Sequence, residues 1–191
     1  MKKFILFSCL LLTLAVNLSA DVVRIQYTAF TAYFDSDLGE SRYTVYTLTP
    51  KMAQTALDSR DNRSGMVFRS DPKVNGSFPG TVYAGSGYDA GHLTPADDMS
   101  FNAQALRESF YTTNVAPQKA ALNRGSWKAA EIAIRKQAAA GKTYTVITGV
   151  IIMSPSPNRI GNHGPVIPDL FYKIAIPEDG SAPQSWIGIN Q

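Results

Sequence analysis

The chain has 191 residues, of which 45% are hydrophobic and 17% charged. This composition is typical of one globular domain and excludes disordered, coiled-coil and collagen-like proteins. The formal net charge of +3 includes Lys2 and Lys3 in the first segment, and without them it falls to +1. The charge is therefore only weak support for a polyanionic partner.

Residues 1–20 have the features of a secretory signal peptide. Two lysines precede an unbroken apolar run from Phe4 to Leu12, and the small residues Ser19-Ala20 follow it. This pattern predicts cleavage after Ala20, a mature domain of residues 21–191, and a periplasmic or secreted location. No other stretch is long and apolar enough for a membrane span, so no membrane contact is expected after cleavage.

The only cysteine, Cys9, lies within this segment. A lipid anchor on Cys9 is the alternative to cleavage after Ala20, although the apolar run continues past the cysteine. If cleavage follows Ala20, the mature domain contains no cysteine and therefore no disulfide and no cysteine metal site. Its stability must come from the hydrophobic core, with a bound metal as the other candidate contribution.

The predicted elements alternate between strands and a few helices. A loop rich in Gly, Pro, Asn and charged residues covers 59–80, between the first helix and the motif described below. Segments rich in β-branched and aromatic residues predict strands at 22–34, 43–49, 110–117, 143–153, 171–177 and 185–189. Helical patterns cover 51–59, 102–110 (capped by Asn102 or Ser100) and 126–140. The predicted fold class is α+β, with a mixed, mainly antiparallel β-sheet core and few helices.

Histidine is the first candidate for chemistry, because the chain has only His92 and His163. A lone histidine is more often a surface or structural residue than a catalytic one. The chain has no His-Glu-x-x-His, paired Cys-x-x-Cys or EF-hand pattern, so dedicated zinc and calcium sites are not expected. Gly85-Ser86-Gly87 lacks the Lys-Ser/Thr of a phosphate-binding loop and is weak support for nucleotide binding.

A longer pattern changes this assessment. Its three blocks are Tyr-Ala-Gly-Ser-Gly-Tyr-Asp-Ala-Gly-His-Leu-Thr-Pro-Ala at 83–96, Glu-Ser-Phe-Tyr-Thr-Thr-Asn-Val-Ala-Pro-Gln at 108–118, and Leu-Asn-Arg-Gly-Ser-Trp-Lys-Ala-Ala-Glu at 122–131. In this order they closely resemble the DNA/RNA non-specific endonuclease family, the ββα-metal nucleases. The resemblance continues more weakly at 146–149 and 166–173. It covers about half of the mature chain and implies a ββα-metal nuclease motif.

The resemblance implies a role for four residues. His92 is the general base, and Asn123 is the single protein ligand of a magnesium ion for which manganese could substitute. Glu131 holds metal-bound waters, and Asn114 supports the site near the substrate phosphate. These roles suit phosphodiester hydrolysis, since a neutral imidazole can take a proton from water and Mg²⁺ needs few protein ligands.

The spacing of Asn123 and Glu131 offers a test of these roles. On one helix, residues eight apart lie about 80° apart around the axis and about 12 Å apart along it, within reach of a hydrated ion. This requires a helix that continues through Gly125, which disfavours it by about 1 kcal/mol. The alternative interpretation is that Asn123 is a helix cap and Glu131 a solvated helix residue.

The neighbouring residues are expected to support the site. Gly91 would let the backbone turn beside the base, and Asp89 would bond to nearby backbone to fix the strand end. Trp127 and Phe110 are expected to be core anchors rather than platforms for nucleobases.

Arginines near the blocks are the candidates for binding phosphate. Arg60, Arg63 and Arg69 lie in the loop before the motif, and Arg124 follows the predicted metal ligand. Solvated surface positions are the alternative for all four.

Two departures from the family pattern bear on function. The family has arginine where this chain has Ala90, which removes a positive charge near the scissile phosphate, and the chain ends at Gln191, earlier than is usual. The predicted function is an exported, magnesium-dependent endonuclease that binds DNA and RNA through backbone phosphates without sequence specificity. The alternatives are a weakened or inactive relative that binds nucleic acid or another polyanion, and an interaction protein of the cell envelope.

Overall fold

The computed structural model describes residues 22–58 and 63–191. The predicted signal peptide (1–20) and Arg60 lie outside these residues. Within them, no helix is long and apolar enough to cross a membrane.

A six-stranded sheet in the order β1-β2-β3-β6-β7-β8 forms the main layer of the fold, and every neighbouring pair is antiparallel. This confirms the predicted α+β class with a mainly antiparallel sheet. Its strands are Val22–Gln26 (β1), Phe30–Asp35 (β2), Glu40–Leu48 (β3), Tyr144–Ile151 (β6), Leu170–Pro177 (β7) and Gln184–Ile189 (β8). The single strand predicted for 22–34 is two strands, because the Tyr27 amide donates to the Phe30 carbonyl at 2.9 Å and closes a turn between them.

The helices are Pro50–Asp58 (α1), Ala103–Ser109 (α2), the single turn Ala120–Leu122 (α3) and Lys128–Ala139 (α4). The helices α1, α2 and α4 occupy the predicted segments, whereas the short α3 was not predicted. Asn102 caps α2, since its side-chain oxygen accepts the amides of Gln104 and Ala105. The cap explains why this short helix begins where the sequence predicts.

One side of the main sheet carries the core. Met52 and Ala53 of α1 and Ile134 and Ala138 of α4 are buried in one cluster with inward-facing strand residues that include Tyr46, Leu48, Tyr144, Val146 and Ala175. A second cluster on the same side of the sheet packs segments between residues 93 and 127 against β6 and β7. Its members are Leu93, Ala116, Leu122, Trp127, Val150 and Phe171. The predicted core position of Trp127 is confirmed, since only 2% of the residue is exposed.

A two-stranded ribbon lies on this second cluster and carries the histidine motif. Asp89–His92 (β4) pairs antiparallel with Val115–Gln118 (β5). A Cβ atom on Gly91 would lie 2.3 Å from Oε1 of Gln118, so close packing requires glycine at this position. The predicted reason, a turn beside the base, is wrong. Only the second half of the strand predicted for 110–117 is a strand, because a tight helical turn at Thr112–Asn114 precedes β5.

The segment between α3 and α4 is kinked rather than continuous. Gly125 has φ −102° and ψ −112°, which lie outside the helical region. The predicted single helix through Asn123 and Glu131 is therefore wrong. The axial separation of about 12 Å therefore does not apply to these two residues, although both line the same cleft.

Asn114 fixes the ribbon from beneath. Its fully buried amide accepts from the Thr94 backbone N–H at 3.0 Å, and donates to the carbonyls of Thr94 and Ser109 at 2.9 Å each. Asn123, in contrast, is half-buried and donates its amide N–H to Asp89 Oδ2 at 2.9 Å. The two asparagines of the family pattern therefore have different structural surroundings.

Asn114→Ala should lower the free energy of unfolding by about 2–4 kcal/mol, because it leaves buried backbone groups unpaired. Asn123→Ala is the matched control and should cost about 0.5–1 kcal/mol, because it removes one hydrogen bond at a half-buried position. Urea denaturation followed by circular dichroism measures both. Equal losses in the two variants would contradict the scaffold role of Asn114.

Candidate active site

A cleft of about 780 Å³ opens between the ribbon and the kinked segment. It brings together most of the residues that the sequence predicts for the site. Predicted residues in its lining are Arg63, Asp89, His92, Asn123, Arg124 and Glu131, with Ala90 between them. Asn114 lies in the scaffold beneath the ribbon and does not line the cleft.

His92 ends β4 and packs against two aromatic rings. The centroids of Phe68 and Phe110 each lie 5.1 Å from that of the imidazole. Burial, together with the Arg63 guanidinium, lowers the pKa of His92 to about 3, while Asp97 opposes the shift. The imidazole is therefore neutral near pH 7 and able to accept a proton.

The Nε2 atom of His92 is buried and has no hydrogen-bond partner among the described residues. Buried polar atoms are normally paired, so an unpaired one is costly in the absence of a ligand or water. His92 lines the cleft, so its unpaired Nε2 favours a role in binding or proton transfer over a purely structural one.

Asp89 joins the ribbon to the kinked segment. One carboxylate oxygen accepts the Asn123 amide at 2.9 Å, and both accept from Arg124, at 2.8 Å from Nε and 2.6 Å from Nη2. These hydrogen bonds, first those from Arg124, lower the pKa of Asp89. The predicted role of Asp89 in bonding to backbone is thus replaced by bonding to side chains. The hydrogen bond from the Asn123 nitrogen fixes the orientation of the amide, whose Oδ1 oxygen is the atom that can bind a cation.

Glu131, in the first turn of α4, lies beside the buried Lys173 of β7. The Lys173 ammonium is 3.8 Å from Glu131 Oε1, 2.6 Å from Thr148 Oγ1 and 3.4 Å from the Leu93 carbonyl. Burial raises the pKa of Glu131 to about 7, even though the Lys173 charge opposes the shift. A carboxylate with this pKa gains a proton easily, and a nearby cation would keep it ionised.

Two of the three cations that line the cleft already have carboxylate partners. Arg63 donates through Nε to Asp97 at 2.9 Å, and Arg124 is held by Asp89 as described above. The third, Lys128, is exposed and has no carboxylate partner among the described residues. Arg69 lies elsewhere, over the Tyr111 ring at 4.7 Å.

The donors in the cleft fit a hard divalent cation that is held by few protein atoms. The Asn123 Oδ1 oxygen and the Glu131 carboxylate both line the cleft, and such oxygen ligands are those that Mg²⁺ prefers. No group of three or more His, Cys, Asp or Glu side chains could hold a metal in 22–58 and 63–191. The donor set is therefore suited to a mostly hydrated ion bound by Asn123.

Sequence reasoning missed two charged residues of the site. Lys128 lies inside the block 122–131 that carries the resemblance, so that block could have indicated it. Lys173 ends the weaker block at 166–173, but its burial beside Glu131 has no sequence signal. Phe68, which covers the His92 ring, belongs to the loop that the sequence leaves without structure.

Two relatives show the level of similarity to known proteins. The chain is 31% identical to "Nuclease 1, mitochondrial" of Schizosaccharomyces pombe over 170 residues, which cover 82% of this chain and 52% of that protein. It is 30% identical to "Endonuclease G, mitochondrial" of Bos taurus over 128 residues, which cover 61% of this chain and 43% of that protein. The chain thus spans about half the length of the curated relatives it matches.

The names of these relatives bear on location. Both are mitochondrial nucleases, as are other similar proteins from Xenopus laevis and Saccharomyces cerevisiae. The predicted periplasmic or secreted location is therefore wrong. The pattern at 1–20 that suggested it lies outside the described residues.

The fold and the family are shown by two further matches. A chain in the crystal structure of the EndoG/EndoGI complex superposes with a TM-score of 0.78 at 24% identity, over 88% of this chain and 74% of that chain, which shows a common fold. The family model for the DNA/RNA non-specific endonucleases matches residues 11–190. The arrangement of His92, Asn123 and Glu131 in one cleft thus lies on the expected fold, and the chain belongs to the DNA/RNA non-specific endonuclease family.

Proposed function

We propose that this chain is a metal-dependent endonuclease that hydrolyses phosphodiester bonds of DNA and RNA, with Mg²⁺ as its ion and Mn²⁺ as a substitute. The observation that carries the proposal is the neutral His92, whose buried Nε2 has no hydrogen-bond partner in the part of the chain that the structure describes, in a cleft with Asn123 and Glu131. General-base catalysis needs such an unprotonated group close to the reacting water.

His92 would take the proton of the attacking water. The water oxygen forms a new bond to phosphorus, the bond from phosphorus to the 3′ oxygen breaks, and the product carries a 5′-phosphate. A pKa of about 3 makes His92 a weak base in the free protein. An anionic phosphate in the cleft would oppose the repulsion from Arg63 and raise that pKa toward the working range.

A divalent cation bound at Asn123 would neutralise charge on the phosphate oxygens and supply an acidic water for the leaving group. Glu131 would accept hydrogen bonds from waters around the ion, and Lys173 would hold the Glu131 side chain in place. Asp89 orients the Asn123 amide through the hydrogen bond described above.

Substrate binding would depend on phosphates rather than on bases. Arg63, Arg124 and Lys128 are the cations that line the cleft, and phosphate contacts carry no base-sequence information. DNA and RNA share these phosphates, so one cleft could accept both.

A binding-only relative is the second candidate, and Ala90 is the observation that favours it. This residue lines the cleft where the family pattern has arginine, so one phosphate-binding charge is missing. Loss of such a charge-assisted contact costs about 1.5–3 kcal/mol, which reduces the rate about ten- to a hundredfold.

Plasmid and RNA degradation tests the proposal directly. The wild-type chain should cut both substrates with Mg²⁺ and lose activity in EDTA. His92→Ala should lower the rate by about two to four orders of magnitude, because it removes the general base. Asn123→Ala should make cleavage require far more metal.

Circular dichroism of each variant checks that it is folded. No cutting by folded wild-type protein, across metals and pH, would overturn the nuclease proposal. Binding of DNA without cutting would instead support the binding-only relative.

Lys128 should contribute one phosphate contact, because it lines the cleft and is paired with no carboxylate in residues 22–58 and 63–191. DNA binding in EDTA, measured at several salt concentrations, should weaken in Lys128→Gln, and the slope of log K against log salt should become shallower by about 0.9. Lys128→Arg should retain the slope. Lys136→Gln, on the last turn of the same helix, is the matched control and should bind as wild type does. An unchanged slope in Lys128→Gln would contradict the contact.

A further inference from the structure

One carboxylate on the wall of the cleft lies between two arginines. Asp97 lines the cleft, and its Oδ1 oxygen accepts from Arg63, through Nε at 2.9 Å and also through Nη2. Its Oδ2 oxygen lies 3.6 Å from Nη1 of Arg135, and this ion pair is longer than a hydrogen bond. The carboxylate of Asp97 is thus hydrogen-bonded to one arginine and only in electrostatic contact with the other.

The two arginines differ in their surroundings. Arg63 lies in the loop before the histidine motif, and 43% of its side chain is exposed. Arg135 lies on α4, and only 5% of its side chain is exposed. Asp98 accepts from Arg135 Nε at 2.6 Å and from the Tyr46 hydroxyl at 2.6 Å, which fixes the Arg135 guanidinium inside the protein. Arg63 is therefore the arginine that can leave Asp97, and Arg135 is the one that stays.

Arg135 still has hydrogen-bond donors to offer. Its Nη2 is buried and has no partner in residues 22–58 and 63–191, and its Nη1 forms only the long ion pair with Asp97. A movement of about 0.8 Å would bring Asp97 Oδ2 to about 2.8 Å from Nη1, the usual length of a hydrogen bond between charged groups. Buried donors without a partner are unfavourable, so this second position of Asp97 is favoured once Arg63 has left. Asp97 can hence release Arg63 without becoming an unpaired charge.

The other ion pair of the cleft lacks such a second partner. Asp89 accepts from Arg124 and from the Asn123 amide, and among the described residues no cation other than Arg124 is paired with it. Release of Arg124 would therefore leave Asp89 with a neutral amide alone. Of the two arginines that are held in the cleft, Arg63 is thus the one that a ligand can detach more easily.

We propose that Asp97 is a positioning residue that holds Arg63 in the free protein and passes it to a phosphate of the bound nucleic acid. This inference rests on the proposed function, because it describes how that substrate binds. The phosphodiester would take over the guanidinium of Arg63 in the two-pronged geometry that arginine forms with carboxylates and phosphates alike. Asp97 then pairs with Arg135, so the charge of Arg63 becomes available only when an anion replaces the carboxylate.

This exchange sets the affinity for substrate. A bound phosphate must first displace Asp97, so the free energy of the Arg63–Asp97 pair is subtracted from that of the new contact. A partly exposed ion pair of this kind changes an affinity by a factor of up to about five. Asp97 therefore weakens substrate binding while it keeps the Arg63 side chain oriented in the cleft.

A double-mutant cycle of Asp97→Asn and Arg63→Gln tests the proposal, with binding of a short fluorescein-labelled DNA duplex in EDTA followed by anisotropy. In protein that retains Arg63, Asp97→Asn should tighten binding about tenfold, because it removes both the competitor for Arg63 and a charge that repels phosphate. In the Arg63→Gln background it should tighten binding only about twofold, because only the repulsion is lost. The difference of about fivefold between the two backgrounds is the coupling that the exchange predicts.

Asp179→Asn is the matched control, because it changes the net charge equally but pairs with Lys142 at 3.0 Å, outside the cleft. This variant should bind DNA as wild type does. Asp97→Ala, which also removes the hydrogen-bond acceptor, should show the same coupling as Asp97→Asn, and circular dichroism checks that each variant is folded. In cleavage assays both Asp97 variants should lower KM more than they change kcat, which a merely structural role would not produce.

A crystal structure of the DNA complex in EDTA locates the exchange. Arg63 should contact a phosphate, and Asp97 Oδ2 should lie within hydrogen-bond distance of Arg135. Equal effects of Asp97→Asn in both backgrounds, or an Arg63 that stays on Asp97 in the complex, would overturn the exchange even if the protein cuts DNA. Coupling without cutting would support the exchange and contradict the nuclease proposal. Absence of any nucleic-acid binding would overturn both.

Discussion

The buried ammonium of Lys173 is the interaction on which the site depends. It reaches the main sheet through Thr148, the end of the ribbon through the carbonyl of Leu93 (the residue after β4), and α4 through Glu131. Removing a charge from water costs several kcal/mol, so Lys173 is tolerated only because these partners surround it. Loss of the lysine would leave Glu131 buried beside the carboxylates of Asp97 and Asp98, without its nearest positive charge. The ammonium thus connects three elements that are distant in sequence and keeps an acidic group ionisable inside the protein.

The charges in the cleft show a second constraint. Asp89 and Asp97 hold Arg124 and Arg63 by hydrogen bonds, which orient the guanidinium groups but also neutralise part of their charge. The attraction of the cleft for a phosphate is therefore weaker than its three basic side chains suggest, and it depends mainly on Lys128 and on any bound cation. This pairing of positive and negative side chains in the cleft is consistent with the small net charge of the chain.

The main sheet separates two kinds of surface. Its inward side carries the helices, the ribbon and the cleft, while its opposite side presents exposed side chains such as Ile176, Ile187 and Ile189. Because successive residues of a strand point to opposite sides, one short sequence such as that of β7 supplies both surfaces at once. The buried Lys173 and the exposed Ile176 are three residues apart on this strand, yet one supports the candidate site and the other lies on the opposite side of the sheet.

The sequence by itself determined the fold class, the strand and helix segments and the residues of the motif blocks, because hydrophobic periodicity and short-range motifs are local properties. His92, Asn123 and Glu131 were singled out by the resemblance of these blocks to the family, and they line one cleft. The sequence could not determine the kink at Gly125, the scaffold position of Asn114 or the partners of Asp89, since these depend on contacts between distant segments. It also suggested an exported protein, from a local pattern that the mitochondrial relatives contradict. Only the tertiary structure paired Lys173 with Glu131, and Asp89 with Arg124 and Asn123, because burial and charge pairing are decided by which segments pack together.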